Sequence, residues 1–161
     1  MDTMEYLLAK DAIADAAKRY CRGIDRCDAD VIKSAFHPDA TVRYAAEGNA
    51  WEFAHGAAVS LRRYKATMHA ITNQSIDGLD LAAGTATGEI YCTAYHLREA
   101  EGSLIVDVWW GRYLDQYSRI AGEWRIQHRV CVHEWTMELP IDSAMPIPAE
   151  LFQAGSFDRK V

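Results

Sequence analysis

The sequence predicts an α+β domain, with helices first and a long, curved antiparallel sheet after them. Apolar residues recur at spacings of three and four from about Thr3 to Ile24, and Ile13, Ala17, Tyr20, Cys21 and Ile24 form one stripe. From Thr67 onward the period changes to two. The links DGLD with AAG, EAEG and SRIAG separate four segments of strand length, and links this short suit antiparallel hairpins.

The first helix ends in RYCRGID. On an unbroken helix Asp25 lies about 40° from Cys21 and about 80° from Ala17, at roughly 100° per residue. It therefore sits at the edge of the buried stripe, where a carboxylate needs a partner or water. Asp28 or Asp30 can cap a second, short helix over Val31–Phe36, with Ile32 and Phe36 on one face. HPD, residues 37–39, breaks it, and ATVRYAA reads as a first strand. Gly56 opens a third helix, GAAVSLRRYKA, whose basic LRRYK cluster reads as a solvated face. Four strands follow: TMHAITNQSI, ATGEIYCTAYHLR, SLIVDVWWGRYLDQY and EWRIQHRVCVHEWTM. Three of the four prolines fall after Leu139, so residues 139–161 read as an irregular tail with one short helix, attached to a domain spanning residues 1–138.

With 161 residues, half of them apolar, the chain is expected to bury a single core. A net charge of −6 argues against nucleic acid, whose backbone attracts clustered Lys and Arg. No apolar run of 18 residues points to a membrane span. The start, MDTMEYLLAKD, lacks the basic region of a signal peptide, and four scattered cysteines form no Cys-x-x-Cys pair. A cytoplasmic protein with reduced thiols is expected.

The six histidines form no metal motif; His128 and His133 stand at odd spacing on one strand, and so on opposite faces. The isolated glycines make no phosphate cradle and no nucleophile elbow. Neither a metal nor an organic cofactor is expected, which leaves acid–base chemistry by Asp, His, Tyr and Arg.

The frame AIADAAKRYCRGID–RCDADVIKSAFHPDATV, then MHAITN, ATGEIYC and the EWRIQHRV strand, resembles the SnoaL-like branch of the nuclear transport factor 2-like superfamily. Within that branch the chain is similar to scytalone dehydratases, bile acid 7α-dehydratases and hexachlorocyclohexane dehydrochlorinases, over roughly Met4–Met137. The resemblance implies a cone-shaped α+β barrel around a pocket, with the N-terminal helices packed on a curved, mostly antiparallel sheet.

It also implies residue roles. An aspartate ending the first helix holds a histidine from the first long strand, and the matching positions are Asp25 and His69. Such a carboxylate sets the imidazole tautomer and leaves the other ring nitrogen to take a proton. Without the resemblance, Asp25 reads as a surface acid or helix-end partner and His69 as a core histidine. Tyr20 matches a pocket tyrosine of the bile acid dehydratases, against the alternative of a plain core aromatic; the dehydrochlorinases carry lysine there, which favours an oxygenated substrate. If His69 faces inward, so do Thr67, Ile71 and Asn73. The family strands place Val42, Tyr44, Ile90, Cys92, Trp109, Tyr113 and Arg129 on the inner surface, with Asp107 and His133 sharing its parity. Arg129 would hold a leaving group or polarise an oxygen; its alternative is a salt bridge.

The expected function is a cofactor-independent lyase acting on a hydroxylated aromatic or polycyclic molecule, releasing water or a fragment such as formaldehyde. An isomerase or polyketide-cyclase-like enzyme, and the non-catalytic small subunit of a ring-hydroxylating dioxygenase, are the alternatives. The relatives imply a homo-oligomer, a trimer before a dimer, and the aromatic residues Trp110, Trp124 and Tyr117 suggest a sheet surface for it.

Overall fold

The predicted stripe becomes helix α1 (Thr3–Arg26), which buries Ala9, Ile13, Ala16, Ala17, Tyr20, Cys21 and Ile24. The glycine of RYCRGID has a steric cause. A Cβ on Gly23 would lie 2.6 Å from the main-chain nitrogen of Ile32, so its absence lets α2 (Ala29–Ser34) fold back against α1. Asp28, rather than Asp30, caps α2 by accepting hydrogen bonds from the Asp30 and Val31 amides. The computed structural model describes residues 3–142, 145–152, 155 and 157.

Helix α3 (Ala50–Ser60) starts six residues before Gly56, capped by the Asn49 side chain, and buries Ala50, Ala54 and Ala58. The expected helix over GAAVSLRRYKA is thus displaced. Leu61–Arg63 forms a 3₁₀ turn and Tyr64 is already extended, so Arg62, Arg63 and Lys65 are exposed as expected, but from a turn leading into a strand and not from a helix.

Six strands form one sheet: β1 (Phe36–Arg43), β2 (Glu47–Asn49), β3 (Ala66–Asp80), β4 (Thr85–Ala100), β5 (Ser103–Ile120) and β6 (Glu123–Ile141). Their order is β2-β1-β6-β5-β4-β3. β1 runs parallel to β6 and every other pairing is antiparallel, so the sheet is mixed. It is not closed into a barrel: β2 and β3 are its edges. β6 continues past Leu139 and takes Pro140 into register with Ile105. β1 pairs with β6 only between Ile126 and Val130, so Pro140 needs no donor on its free side. The rest of the expected tail lies partly outside the described residues; a 3₁₀ turn spans Ala149–Leu151.

The helices cover the inner face of the sheet, where Ala86, Ile90, Cys92, Ala94, Tyr113, Tyr117, Trp124 and Ile126 join the core. Two residues expected on an exposed aromatic surface, Trp124 and Tyr117, are therefore buried. The outer face instead carries Trp110 stacked on Trp135 at 3.7 Å between ring centres, with Trp135 49% exposed. The inner parity of β3 does not reach Asn73. A bulge interrupts the ladder between Thr72 and Ser75, Asn73 takes a positive φ of 47°, and its side chain is exposed.

Candidate functional site

The end of α1 delivers Asp25 to the start of β3. Its carboxylate accepts three hydrogen bonds there: from His69 Nδ1 at 2.8 Å, the His69 amide at 2.9 Å and Thr67 Oγ1 at 3.0 Å. Burial alone would raise this carboxyl's pKa, but the bonds from His69 and Thr67 outweigh it and hold the group below its ordinary value. A carboxylate only accepts, so Nδ1 carries the proton in this bond, and in the neutral ring Nε2 keeps the lone pair. The His69 side chain is 8% exposed and lines a cavity of about 490 Å³.

A tyrosine pair lies in the same cavity. Tyr20, from α1, and Tyr44, just past β1, share a hydroxyl–hydroxyl hydrogen bond of 2.5 Å. Burial raises both phenols above their usual range, although the nearby Arg129 charge works the other way. Both therefore stay protonated; one donates to the other, and the second keeps its proton for a ligand. Phe53 stacks on Tyr44 at 4.8 Å, and Tyr113 meets Tyr20 edge-on at 5.6 Å. Trp109 lies nearly parallel to Tyr113 and completes an aromatic wall.

Of the residues expected from the sequence, the structure brings His69, Tyr20, Tyr44, Trp109 and Tyr113 to the cavity lining, with Asp25 behind His69. Val42, Ile90 and Cys92 share the inner face but are packed in the core beside the cavity. His133 is exposed, stacked beyond Trp109 at 6.4 Å.

Arg129 is neither in the cavity lining nor in a surface salt bridge. Its side chain is fully buried and forms a two-pronged ion pair with Asp115, Nε–Oδ1 and Nη2–Oδ2 both at 2.7 Å. Its Nη1 has no hydrogen-bond partner among the described residues. The rings of Tyr20 and Tyr113 lie over the guanidinium at 4.3 and 4.2 Å, so the cation stands behind the aromatic wall.

The lining also includes residues that the sequence reading did not assign to the site: Ile24, Phe53, Leu61, His96 and Cys131. His96 was within reach of the same logic, because it continues the inward parity of Ile90 and Cys92 along β4. It meets His69 edge to face at 5.4 Å. Burial, helped by the neighbouring His69, lowers its pKa and favours the neutral ring. Burial pushes the Cys131 thiol up to about 12, so it lines the cavity as a protonated, apolar group. Phe53 had no such signal, since its segment was not read as helical.

An imidazole held by a carboxylate shares a mostly apolar cavity with a phenol pair, an arrangement suited to a small molecule. The SnoaL-like domain model matches residues 5–130, and the chain belongs to that family. Similar solved structures include a candidate scytalone dehydratase from Novosphingobium aromaticivorans, with TM-score 0.71 and 20% identity over 90% of this chain and 97% of that one. Hexachlorocyclohexane dehydrochlorinase LinA-type3 from Novosphingobium barchaimii gives a TM-score of 0.72 with 17% identity, over 90% and 98%. A cystatin-like protein from Nostoc punctiforme gives 0.63 with 21% identity, over 78% and 90%. At these identities the likeness is one of fold. None of the curated proteins matches the chain. No described helix is long and apolar enough to cross a membrane.

Proposed function

We propose that this protein is a cofactor-independent lyase that removes water from a hydroxylated aromatic or polycyclic small molecule. The observation that carries the reading is the Asp25–His69 hydrogen bond of 2.8 Å together with the Tyr20–Tyr44 hydroxyl pair, with His69, Tyr20 and Tyr44 lining one cavity. His69 Nε2 takes a proton from a carbon next to an oxygen-bearing carbon, and the resulting imidazolium is stabilised by the Asp25 carboxylate. The C–H electrons form the new double bond, and the C–O bond breaks. The leaving oxygen takes the proton back from His69, so water departs and the imidazole is neutral again. Tyr44 donates to Tyr20, and Tyr20 donates to a substrate oxygen on which negative charge develops. Arg129 acts through Tyr20, placing a positive charge behind its ring.

If His69 instead removed the O–H proton of a hydroxymethyl group, the C–C bond would break as the C=O forms. The carbon left behind would take the proton back from His69, and formaldehyde would leave. The paired phenols also favour a second reading, an isomerase, because a donor polarised by a second hydroxyl would stabilise an enolate from which nothing is expelled. The scytalone dehydratase and dehydrochlorinase named among the structural neighbours agree with elimination. In the proposed setting the enzyme works in the cytoplasm as a homotrimer, with the Trp110–Trp135 surface as its contact.

The test incubates the protein with a panel of hydroxylated dihydroaromatic compounds and follows mass loss. Wild-type protein should release one water per turnover, and His69→Ala should abolish the release with the circular dichroism spectrum unchanged. A product of unchanged mass would replace the lyase by the isomerase. Equal turnover by His69→Ala would remove His69 as the base.

A further inference from the structure

A second cavity of about 620 Å³ adjoins the first, and the two share Leu61, His96 and Trp109 as common walls. Their chemistry differs. The inner chamber is lined mainly by rings and small apolar side chains. The outer one presents Arg63, Tyr64, Asp107, Thr136 and Glu138.

The charges in the outer chamber are not equivalent. Arg98 binds both acids, Asp107 at 2.7 Å and Glu138 at 2.6 Å, so one guanidinium is shared between two carboxylates. Arg63 forms no ion pair among the described residues. Its guanidinium donates to the Tyr64 hydroxyl at 3.1 Å and lies 4.8 Å from the centre of that ring. With Arg98 counted, the charges around the chamber sum to zero, and Arg63 is the lining guanidinium that stands outside an ion pair among the described residues, beside a phenol and a threonine hydroxyl.

Trp109 separates the chambers, and its position depends on Gly111. A Cβ at Gly111 would lie 2.2 Å from the Trp109 indole, so the indole covers that glycine. A ring bound in the inner chamber thus has a partition beside it, with the outer chamber beyond.

We propose that the outer chamber is a second subsite of the same substrate channel, taking a carboxylate-bearing tail attached to the ring held near His69. The Arg63 guanidinium and the Tyr64 hydroxyl bind the carboxylate. The substrate class narrows from hydroxylated aromatics to aromatic or polycyclic acids with a short side chain. This rests on the reading of the inner chamber as the reaction site.

The test uses calorimetry with three probes: 4-(2-naphthyl)butanoate, its primary amide, and 2-naphthol, which has no tail. Wild-type protein should bind the butanoate about tenfold tighter than the amide at low salt, the scale of one charge-assisted contact. Arg63→Gln should erase that preference and leave 2-naphthol binding unchanged. Thr136→Trp, which fills the outer chamber, should weaken both tailed probes and spare 2-naphthol. Equal affinity for acid and amide would overturn the proposal. So would a preference that survives Arg63→Gln, or a loss of 2-naphthol binding in Thr136→Trp as large as that of the tailed probes. Binding needs no turnover, so the catalytic reading fails separately: His69→Ala should keep the butanoate preference while losing activity.

Discussion

Replacing Asp25 by asparagine changes one atom and should reverse the imidazole it holds. The carboxylate takes the His69 main-chain N–H on Oδ2, and His69 Nδ1 and Thr67 Oγ1 on Oδ1. A main-chain N–H can only donate, so the asparagine oxygen must stay against it. The amide NH₂ then faces Nδ1, which has to accept, and the imidazole proton moves to Nε2. The nitrogen that should act as base is capped. Turnover should fall by about three to four orders of magnitude, as when a buried carboxylate behind a catalytic histidine is neutralised. Stability should fall by about 2–3 kcal/mol, because charge-assisted bonds become neutral ones. The pH dependence has a definite sign. Hydrogen bonds hold the folded Asp25 pKa below its ordinary value, so its contribution is complete above the unfolded value of about 4 and is lost as pH falls through the lower folded value. The gap between wild type and Asp25→Asn in urea unfolding should therefore be constant near neutrality and narrow in acid. Nitrogen-detected NMR of the His69 ring reads the tautomer without any substrate. An Nδ1–H tautomer in Asp25→Asn, or a stability gap that does not close in acid, refutes the assignment of Asp25 as the orienting group.

Tyr20→Phe keeps the ring over Arg129 and removes one donor; turnover should drop about ten- to a thousandfold, and urea unfolding should register a loss of about 1 kcal/mol for the bond to Tyr44. Asp115→Asn leaves Arg129 buried with a neutral partner and should cost about 3–5 kcal/mol in urea unfolding, whereas the paired change Asp115→Leu with Arg129→Met should recover much of that loss. Gly111→Ala sets a methyl group 2.2 Å from the Trp109 indole and 2.3 Å from the Val132 carbonyl; it should destabilise by about 1–3 kcal/mol and alter the near-ultraviolet dichroism of the indole.

Local period carried the sequence reading wherever the backbone was regular. Ile90 and Cys92 on β4, and Tyr113 on β5, all have the inward parity read for them. The reading lost its phase at bulges, which no side chain announces. Asn73 is an example: one left-handed residue in β3 turned it outward, and the inward set resumes at Gln74 and Ile76. Arg129 was placed on the correct face but given the wrong neighbours. A cation on an inward strand position has the same local pattern whether it meets a substrate or an acid. Only the register of β5 on β6, which sets Asp115 opposite Arg129, decides between them. The partnership of Asp25 and His69 spans 44 residues, and resemblance to a family supplied it where spacing could not. Tyr44 beside Tyr20 depends likewise on β1 lying along β6, a pairing between the two ends of the domain.

That pairing also has a bearing on the order of assembly. β3 to β6 are joined by short turns and can zip together from neighbour to neighbour, whereas β1 has to wait for β6, some ninety residues later in the chain. Until β6 docks, the segment carrying Val42 and Tyr44 has only the three-residue β2 as a strand partner. A nascent chain can thus form α1 and the β3–β4 hairpin, and with them the Asp25–His69 contact, before the opposite wall of the cavity exists. Ligand would help least at that stage and most after β6 closes, so binding should slow unfolding more than it hastens folding.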